Sequence, residues 1–413
     1  MRRRAGGDAG DRRAHERRLS RVSDAVLQRR ALLASAALSA ACFAVIGVFN
    51  PYAPLWFKSL GLGAFELGLM ASLPSWTRVA APYVWGVLAD RSGERVALIR
   101  LAAVLTACTA TAYLLPLSTP ALAAVTLALF SFNAAIVPLT ETVVAQASST
   151  AGGMDAGRYG RVRVWGSVGF LVSVLLFGMV LEAQGMALFP VLLLALLATQ
   201  AAIAFALPRQ PETHATDEPA PQLAPVLLEP RVRWFFAGAF FMVLAHIALY
   251  VFFSLYLDAL GHSKRVIGVL WGVSVAIEIV WFWFQGRWLS PQRVHGWLVA
   301  AGLVAALRFG ATAALGTEFW VLLLAQAAHA ITFAAQHTAC VALVSRYFPG
   351  RLRSRGQALY SMGAYGLSGV VGGVLGAALA SELGYAAVFW AAAVSGLLSA
   401  ACHWRAGRCD PGH

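Results

Sequence analysis

Residues 86–95 read Gly86-Val-Leu-Ala-Asp90-Arg91-Ser-Gly93-Glu-Arg95, and they fall where one long apolar segment ends and the next begins. Each residue type has a physical use at such a junction. Gly86 lets helices approach, Gly93 permits a tight turn, and Asp90 beside Arg91 and Arg95 can form charge-assisted pairs at a helix end. Pairs of this kind latch one conformation and release in another. A plain polar helix-turn-helix loop would use similar residues, so the flanking segments decide between the two readings.

Those segments are apolar throughout the chain. Hydrophobic residues make up 59% of 413 positions and charged ones 12%, against about 45–50% and about 25% in ordinary soluble domains. A helix needs about 20 apolar residues to cross the hydrocarbon core. Stretches of that kind run over 31–54, 65–88, 96–115, 120–141, 164–181, 186–207, 234–256, 266–285, 295–315, 319–343, 357–379 and 385–403. The expected fold is an all-α membrane protein with twelve transmembrane helices in two six-helix bundles. The first apolar stretch begins only after residue 30 and is long enough to span, so it reads as a helix and not as a cleaved signal.

An even number of crossings puts both termini on one side. Of the 32 lysines and arginines, all but Lys58, Lys264, Arg265 and the intramembrane Arg78 and Arg308 fall in tails and loops of that side. Basic residues stay cytoplasmic, so both termini are expected inside. The net charge of +13 therefore reports topology and contact with anionic lipid, and nucleic acid is not expected as a partner.

The domain plan follows from composition. Residues 1–30 are rich in arginine and read as a disordered basic cytoplasmic tail; 31–207 form the N-terminal bundle. Residues 208–232, with four prolines between Pro208 and Gln222, read as a cytoplasmic linker; 233–404 form the C-terminal bundle and 405–413 a short tail. A weak repeat relates the halves, with Arg161-Val-Arg163 opening the fifth span and Arg353-Ser-Arg355 the eleventh. Glycines 369, 372, 373 and 376 bare one helix face for close packing or for sliding. The cysteines Cys42, Cys108, Cys340, Cys402 and Cys409 lack metal or redox spacing, and no metal, cofactor or catalytic residue is expected.

Ionisable groups within apolar helices cost about 2.5–3.5 kcal/mol on insertion scales, so each invites a functional reading. Glu278, Arg308, His329 and His246 lie deep in four spans of the C-terminal half. A carboxylate that changes partners between two conformations takes up a proton in one and gives it up in the other, which is the physics of proton coupling. A static buried salt bridge between Glu278 and Arg308 is the competing reading. In the other half, Glu141 and Arg163 stand near one membrane edge, while Arg78 is deeper and could bind an anionic substrate or cap carbonyls. Asn50-Pro51 and Pro54 interrupt the end of the first span, and with Tyr52 and Trp56 could line an outward vestibule.

The Gly86 loop resembles the signature G-x-x-x-D-R-x-G-x-R of the major facilitator superfamily of secondary transporters. Asn50-Pro51-Tyr-Ala-Pro54-Leu-Trp56, Pro138-Leu-Thr-Glu141, Tyr159 to Ser167, Ala276-Ile-Glu278, Arg308-Phe-Gly310 and His329 with Thr332-Phe333 are similar to one branch, the phenylpropionate permeases, with features shared with lactose permease. The resemblance implies that Glu141 and Arg163 match the carboxylate and arginine of the lactose permease sugar site, and that Arg308 and His329 match its coupling network. Thr332 replaces the principal proton-carrying glutamate, and Glu278 is the available substitute.

By this resemblance the protein is expected to be a monomeric symporter of protons and a small organic solute, an aromatic carboxylate or a saccharide, in a bacterial-type inner membrane. Proton coupling falls to Glu278, Arg308, His329 and His246, substrate contact to Glu141, Arg163, Arg78 and Asn50, and gating to Gly86, Asp90, Arg91, Gly93 and Arg95. Proton-coupled efflux is the alternative, although the fifth span lacks the Gly-Pro motif of drug antiporters. A membrane enzyme or sensor would need chemistry or a soluble domain that is not found.

Overall fold

A computed structural model describes the backbone of residues 5–147, 149–150, 153–154, 156–208, 223–284, 294–348 and 352–410, with side chains from residue 28 onward except at 90, 145–161, 163 and 353–354. Long helices dominate: α1 (Gln28–Ser59), α2 (Ala64–Ser92), α3 (Arg95–Leu114), α4 (Thr119–Val144), α5 (Val164–Gln184) and α6 (Met186–Phe205) form the first half. The second comprises α7 (Pro230–Ala259), α8 (Lys264–Phe284), α9 (Val294–Ala314), α10 (Phe319–Tyr347), α11 (Arg355–Leu383) and α12 (Tyr385–Arg408). The described strand pairing is one two-residue ladder, Ser149–Thr150 against Gly153–Met154, between α4 and α5.

Eleven of these helices are long and apolar enough to cross a membrane. The exception is α2, which has the length, 29 residues, but carries Glu66, Arg78, Asp90, Arg91 and two prolines. These residues lower its apolarity in a helix that packs on α11 of the other half.

Within the first half α1 packs on α5 and α6, and α3 on α4 and α6; in the second, α12 packs on α7, α9 and α11, and α8 on α10. The halves meet chiefly through α2 on α11 and α5 on α8, a pair of crossings related by the expected pseudo-twofold arrangement. The α2–α11 crossing explains the glycine stripe. A Cβ added at Gly369 or Gly373 would overlap Ser75 or Ser72, so only glycine lets these two helices come this close.

Two expectations need correction. The segment before the first span is helical from Ala5, continuous with α1, where a disordered tail is expected over 1–30. Its residues are mostly good helix formers, and the membrane helix supplies the costly nucleus from which they propagate. The prolines Pro51 and Pro54 lie inside unbroken α1, as membrane-spanning helices tolerate when packed in a bundle. Tyr52 and Trp56 do not line a vestibule: both are buried, Tyr52 donating to the Val174 carbonyl at 2.6 Å and Trp56 stacked on Phe189. The linker residues 209–222 and the loop 285–293 lie outside the described residues.

Among the described residues, the close contacts between halves lie toward the side away from the termini. There Lys58 pairs with Asp258 at 2.6 Å, the Lys264 amide donates to Glu182 at 2.7 Å, and a Cβ on Gly68 would overlap Phe252 and Ala377. The helix stripes making these contacts continue toward the termini through Tyr83, Val164, Trp283 and Met362. Those residues are exposed by 74%, 37%, 76% and 41%. The bundles therefore close together on the distal side and part on the side of the termini, leaving a cavity between them.

Candidate functional site

Three helices of the second half change winding along their length. Ala248–Phe252 in α7, Ala330–Ala335 in α10 and Ser361–Leu367 in α11 are π-helical. A π turn inserts a residue and rotates the side chains beyond it about the helix axis, which is why such segments gather at functional sites. His246 lies two residues before the first π segment and His329 immediately before the second.

The four ionisable residues of the second half come together. Arg308 Nη1 donates to His329 Nδ1 at 3.0 Å and to Thr332 Oγ1 at 2.7 Å. Thr332 bonds His246 Nε2 at 3.2 Å, and His246 Nδ1 reaches the Met242 carbonyl at 2.9 Å. His329 Nε2 faces Glu278 Oε2 at 3.9 Å. All five side chains are buried.

The donors and acceptors fix the tautomers. A carbonyl only accepts, so His246 carries its proton on Nδ1, and its Nε2 accepts from the Thr332 hydroxyl. Arg308 only donates, so His329 Nδ1 is the bare nitrogen and its Nε2 proton points toward Glu278. His329 thus stands between the carboxylate and the guanidinium. Thr332, which the sequence presents as the loss of an acid, is the hydroxyl joining Arg308 to His246.

A flat wall extends from this cluster toward the cavity. The rings of His329, Phe333 and His337, four residues apart along α10, stack at 5.1 and 5.9 Å with interplanar angles of 4° and 11°. His337 Nδ1 meets the Tyr365 hydroxyl at 3.2 Å. Tyr250, Phe333, His337 and Tyr365 are half-buried. Nothing in an apolar sequence singles out these rings, since their common orientation appears only once the helices are in register.

The first-half candidates are not brought to one point. Arg78, midway along α2, is exposed. Asn50 is half-buried on the stripe of α1 that includes Ser39, Phe43 and Ile46. Glu141 lies nearer the termini, lining a small cavity with Ser39, Cys42, Phe43 and Thr140. The side chain of Arg163 lies outside the described residues.

At the Gly86 loop, Gly93 ends α2 with φ of 64° and its amide donates to the Ala89 carbonyl at 3.0 Å, as a left-handed cap requires. Gly86 does not mediate a close approach: a Cβ there would meet nothing within 4 Å. It instead lines a cavity with Trp85, Arg95 and Pro138. Arg91 is exposed, and the Asp90 side chain lies outside the described residues.

A second charged cluster, not evident from the sequence, closes the same end of the second half. Asp410, its carboxylate buried, accepts from Arg346 at 3.1 Å, Tyr347 at 3.2 Å and Arg231 at 3.4 Å, and meets His295 Nε2 at 3.1 Å. It ties α7, α9 and α10 to the end of α12.

The sequence and the fold both match known proteins. A profile described as the MFS_1 like family matches residues 41–391. The chain belongs to the major facilitator superfamily. It is 27% identical over 356 residues to the probable 3-phenylpropionic acid transporter of Escherichia coli (strain K12), covering 85% of this chain and 91% of that protein. Maltose permease of Geobacillus stearothermophilus is 28% identical over 319 residues, 76% of this chain and 79% of that one. The solved structure of the nucleoside transporter NupG superposes with a TM-score of 0.76 at 16% identity, over 91% of this chain and 99% of that one. A bacterial homologue of the human lysosomal transporter Spinster, in an inward-facing and occupied conformation, gives 0.68 at 16%, over 92% and 96%. This major facilitator protein is accordingly a multi-pass membrane transporter of small solutes.

Proposed function

We propose that this transporter is a monomeric symporter that carries a small organic solute inward with a proton by alternating access. It does so in a bacterial-type inner membrane with both termini cytoplasmic. The observation that carries this reading is the buried chain from Glu278 through His329 to Arg308, Thr332 and His246. A carboxylate held 3.9 Å from an imidazole that is itself bonded to a guanidinium has two partners to gain or lose as the helices shift.

With the cavity open toward the termini, Glu278 is ionised and faces His329. Opening to the other side draws the carboxylate away from the imidazole, and it takes a proton from the medium. Substrate binding then allows closure, and return to the present geometry expels the proton as the His329 partnership re-forms. Arg78 and Asn50 face the substrate from the first half, with Glu141 and Arg163 on its exit path. Asp90, Arg91 and Arg95, turned by Gly93, latch the cytoplasmic side when it closes.

The test is Glu278→Gln in proteoliposomes with an imposed pH gradient. Uphill accumulation is expected to vanish while exchange of substrate across the membrane persists, because exchange requires no net proton release. Undiminished accumulation would overturn the assignment.

A further inference from the structure

The Asp410 cluster and the proton cluster are built on the same three helices. Arg231 and His246 lie on α7, His295 and Arg308 on α9, and Arg346 and His329 on α10, the members of each pair 15, 13 and 17 residues apart. At about 1.5 Å per residue, about 20–25 Å of helix separates the two clusters. Glu278 stands on a fourth helix, α8, whereas Arg231, His295, Arg346 and Tyr347, which bond Asp410, belong to the other three.

Between the two clusters these helices are keyed together through α12. A Cβ on Gly238 of α7 would overlap His403, one on Gly302 of α9 would overlap Ala400, and one on Gly396 of α12 would overlap Ala306. Ser395 and Ser399 of α12 donate to the Phe241 and Gly238 carbonyls of α7 at 2.8 Å. On α10, Leu343 and Val344 are buried in one apolar cluster with Phe235, Ala239 and Leu298, and no described residue of α8 belongs to it. Helix α8 packs instead on Phe319–Ala327 and Ala330–Ala335 of α10, and meets α9 through the rings of Trp281 and Trp297, 5.3 Å apart. Ring contacts of that kind have no obligatory donor, unlike the bonds at Asp410.

The Asp410 carboxylate is fully buried, and each of its oxygens accepts from two groups: Oδ1 from Arg231 and Arg346, Oδ2 from His295 and Tyr347. Removing its charge strands the arginines it gathers. We propose that Asp410 is a positioning residue for proton coupling: it locks α7, α9 and α10 into one frame that presents His246, Arg308, Thr332 and His329 as a fixed dock, while α8 carries Glu278 to and from it. Close-packed helices convey the constraint along their length. This inference rests on the symport reading above and says which part of that site moves.

The experiment measures spin-label distances in the purified full chain in nanodiscs, in a background lacking the exposed Cys108 and Cys409, with protons as the only ligand varied. Labels at Leu303 and Ala342 span α9 and α10 within the frame; labels at Val280 and Ala342 span α8 and the frame. All three positions are exposed. Acidification is expected to lengthen the distance between 280 and 342, as the protonated carboxylate leaves its dock, and to leave that between 303 and 342 unchanged. Glu278→Gln should abolish the pH response. Asp410→Asn should broaden the distribution between 303 and 342 and at least halve the pH shift between 280 and 342, with Asp410→Glu restoring much of both.

The wild-type comparison decides the matter even if Asp410→Asn fails to fold. Equal pH-dependent movement of the two pairs, or no pH shift between 280 and 342, overturns the proposal. A folded Asp410→Asn with both distributions unchanged, beside a Glu278→Gln that has lost its pH response, sinks the role of Asp410 and leaves the symport reading standing. A full pH response in Glu278→Gln sinks that reading, and the proposal with it.

Discussion

Thr332 carries more of the polar cluster than its chemistry suggests. Its oxygen accepts from Arg308 at 2.7 Å and its hydroxyl proton is directed to His246 at 3.2 Å, so one side chain satisfies two buried partners. A hydrogen bond to a charged group is worth about 1.5–3 kcal/mol, and about 1.36 kcal/mol in a barrier is tenfold in rate. Thr332→Val keeps the shape and removes the oxygen. The expected outcome is a roughly tenfold or greater fall in pH-driven uptake, with substrate affinity changed by no more than a few fold and recovery in Thr332→Ser. Uptake by Thr332→Val at the wild-type rate would remove the hydroxyl from the coupling path. Glu278, Arg308, His329 and His246 are legible in the sequence because a charge or imidazole inside an apolar run is conspicuous without any fold. Thr332 is not, since hydroxyl residues are common in such runs. Asp410 escapes notice because it lies beyond the last span, where an acidic residue ordinarily needs no partner.

At the scale of elements, two of the devices that hold the distal side shut differ in magnitude. The Lys58–Asp258 pair has side chains exposed by 46% and 26%, and such a surface pair contributes about 0–1 kcal/mol. The α2–α11 crossing depends on Gly369 and Gly373 accepting Ser75 and Ser72, and a side chain there forces the helices apart. Overpacking of this kind costs about 1–3 kcal/mol or more. Spin labels at Leu60 and Ala259 report the gap between the distal ends of α1 and α7. Gly373→Leu is expected to shift the distance distribution toward longer values, whereas Lys58→Ala should move it little. The opposite ranking would make the ion pair the gate. The glycine spacing is readable from sequence as a bare helix face, but its partner is not, because any of several helices could use such a face. The π segments of α7, α10 and α11 are equally hidden, since their residues would also fit a regular α-helix.

For the whole molecule, eleven of the twelve long helices follow from apolar length, and the expectation of two halves from the proline-rich stretch between Pro208 and Gln222. What length and composition do not supply is which side of the interface is open, because that is a balance between two arrangements of the same contacts. The distal closure becomes an inward-open state only if the termini are cytoplasmic, and that orientation rests on the distribution of basic residues. Cysteine labelling tests it in a background lacking Cys108 and Cys409, the native cysteines that are exposed. His262→Cys lies in the turn between α7 and α8 on the distal side, and Ala215→Cys in the linker between the halves. An impermeant maleimide added to intact cells is expected to label position 262 and to reach 215 only after the membrane is broken. The basic residues make the reverse outcome costly, since nearly all of the 32 would then have crossed the membrane. Labelling of 215 in intact cells would invert the topology. The open cavity would then face outward in this same conformation.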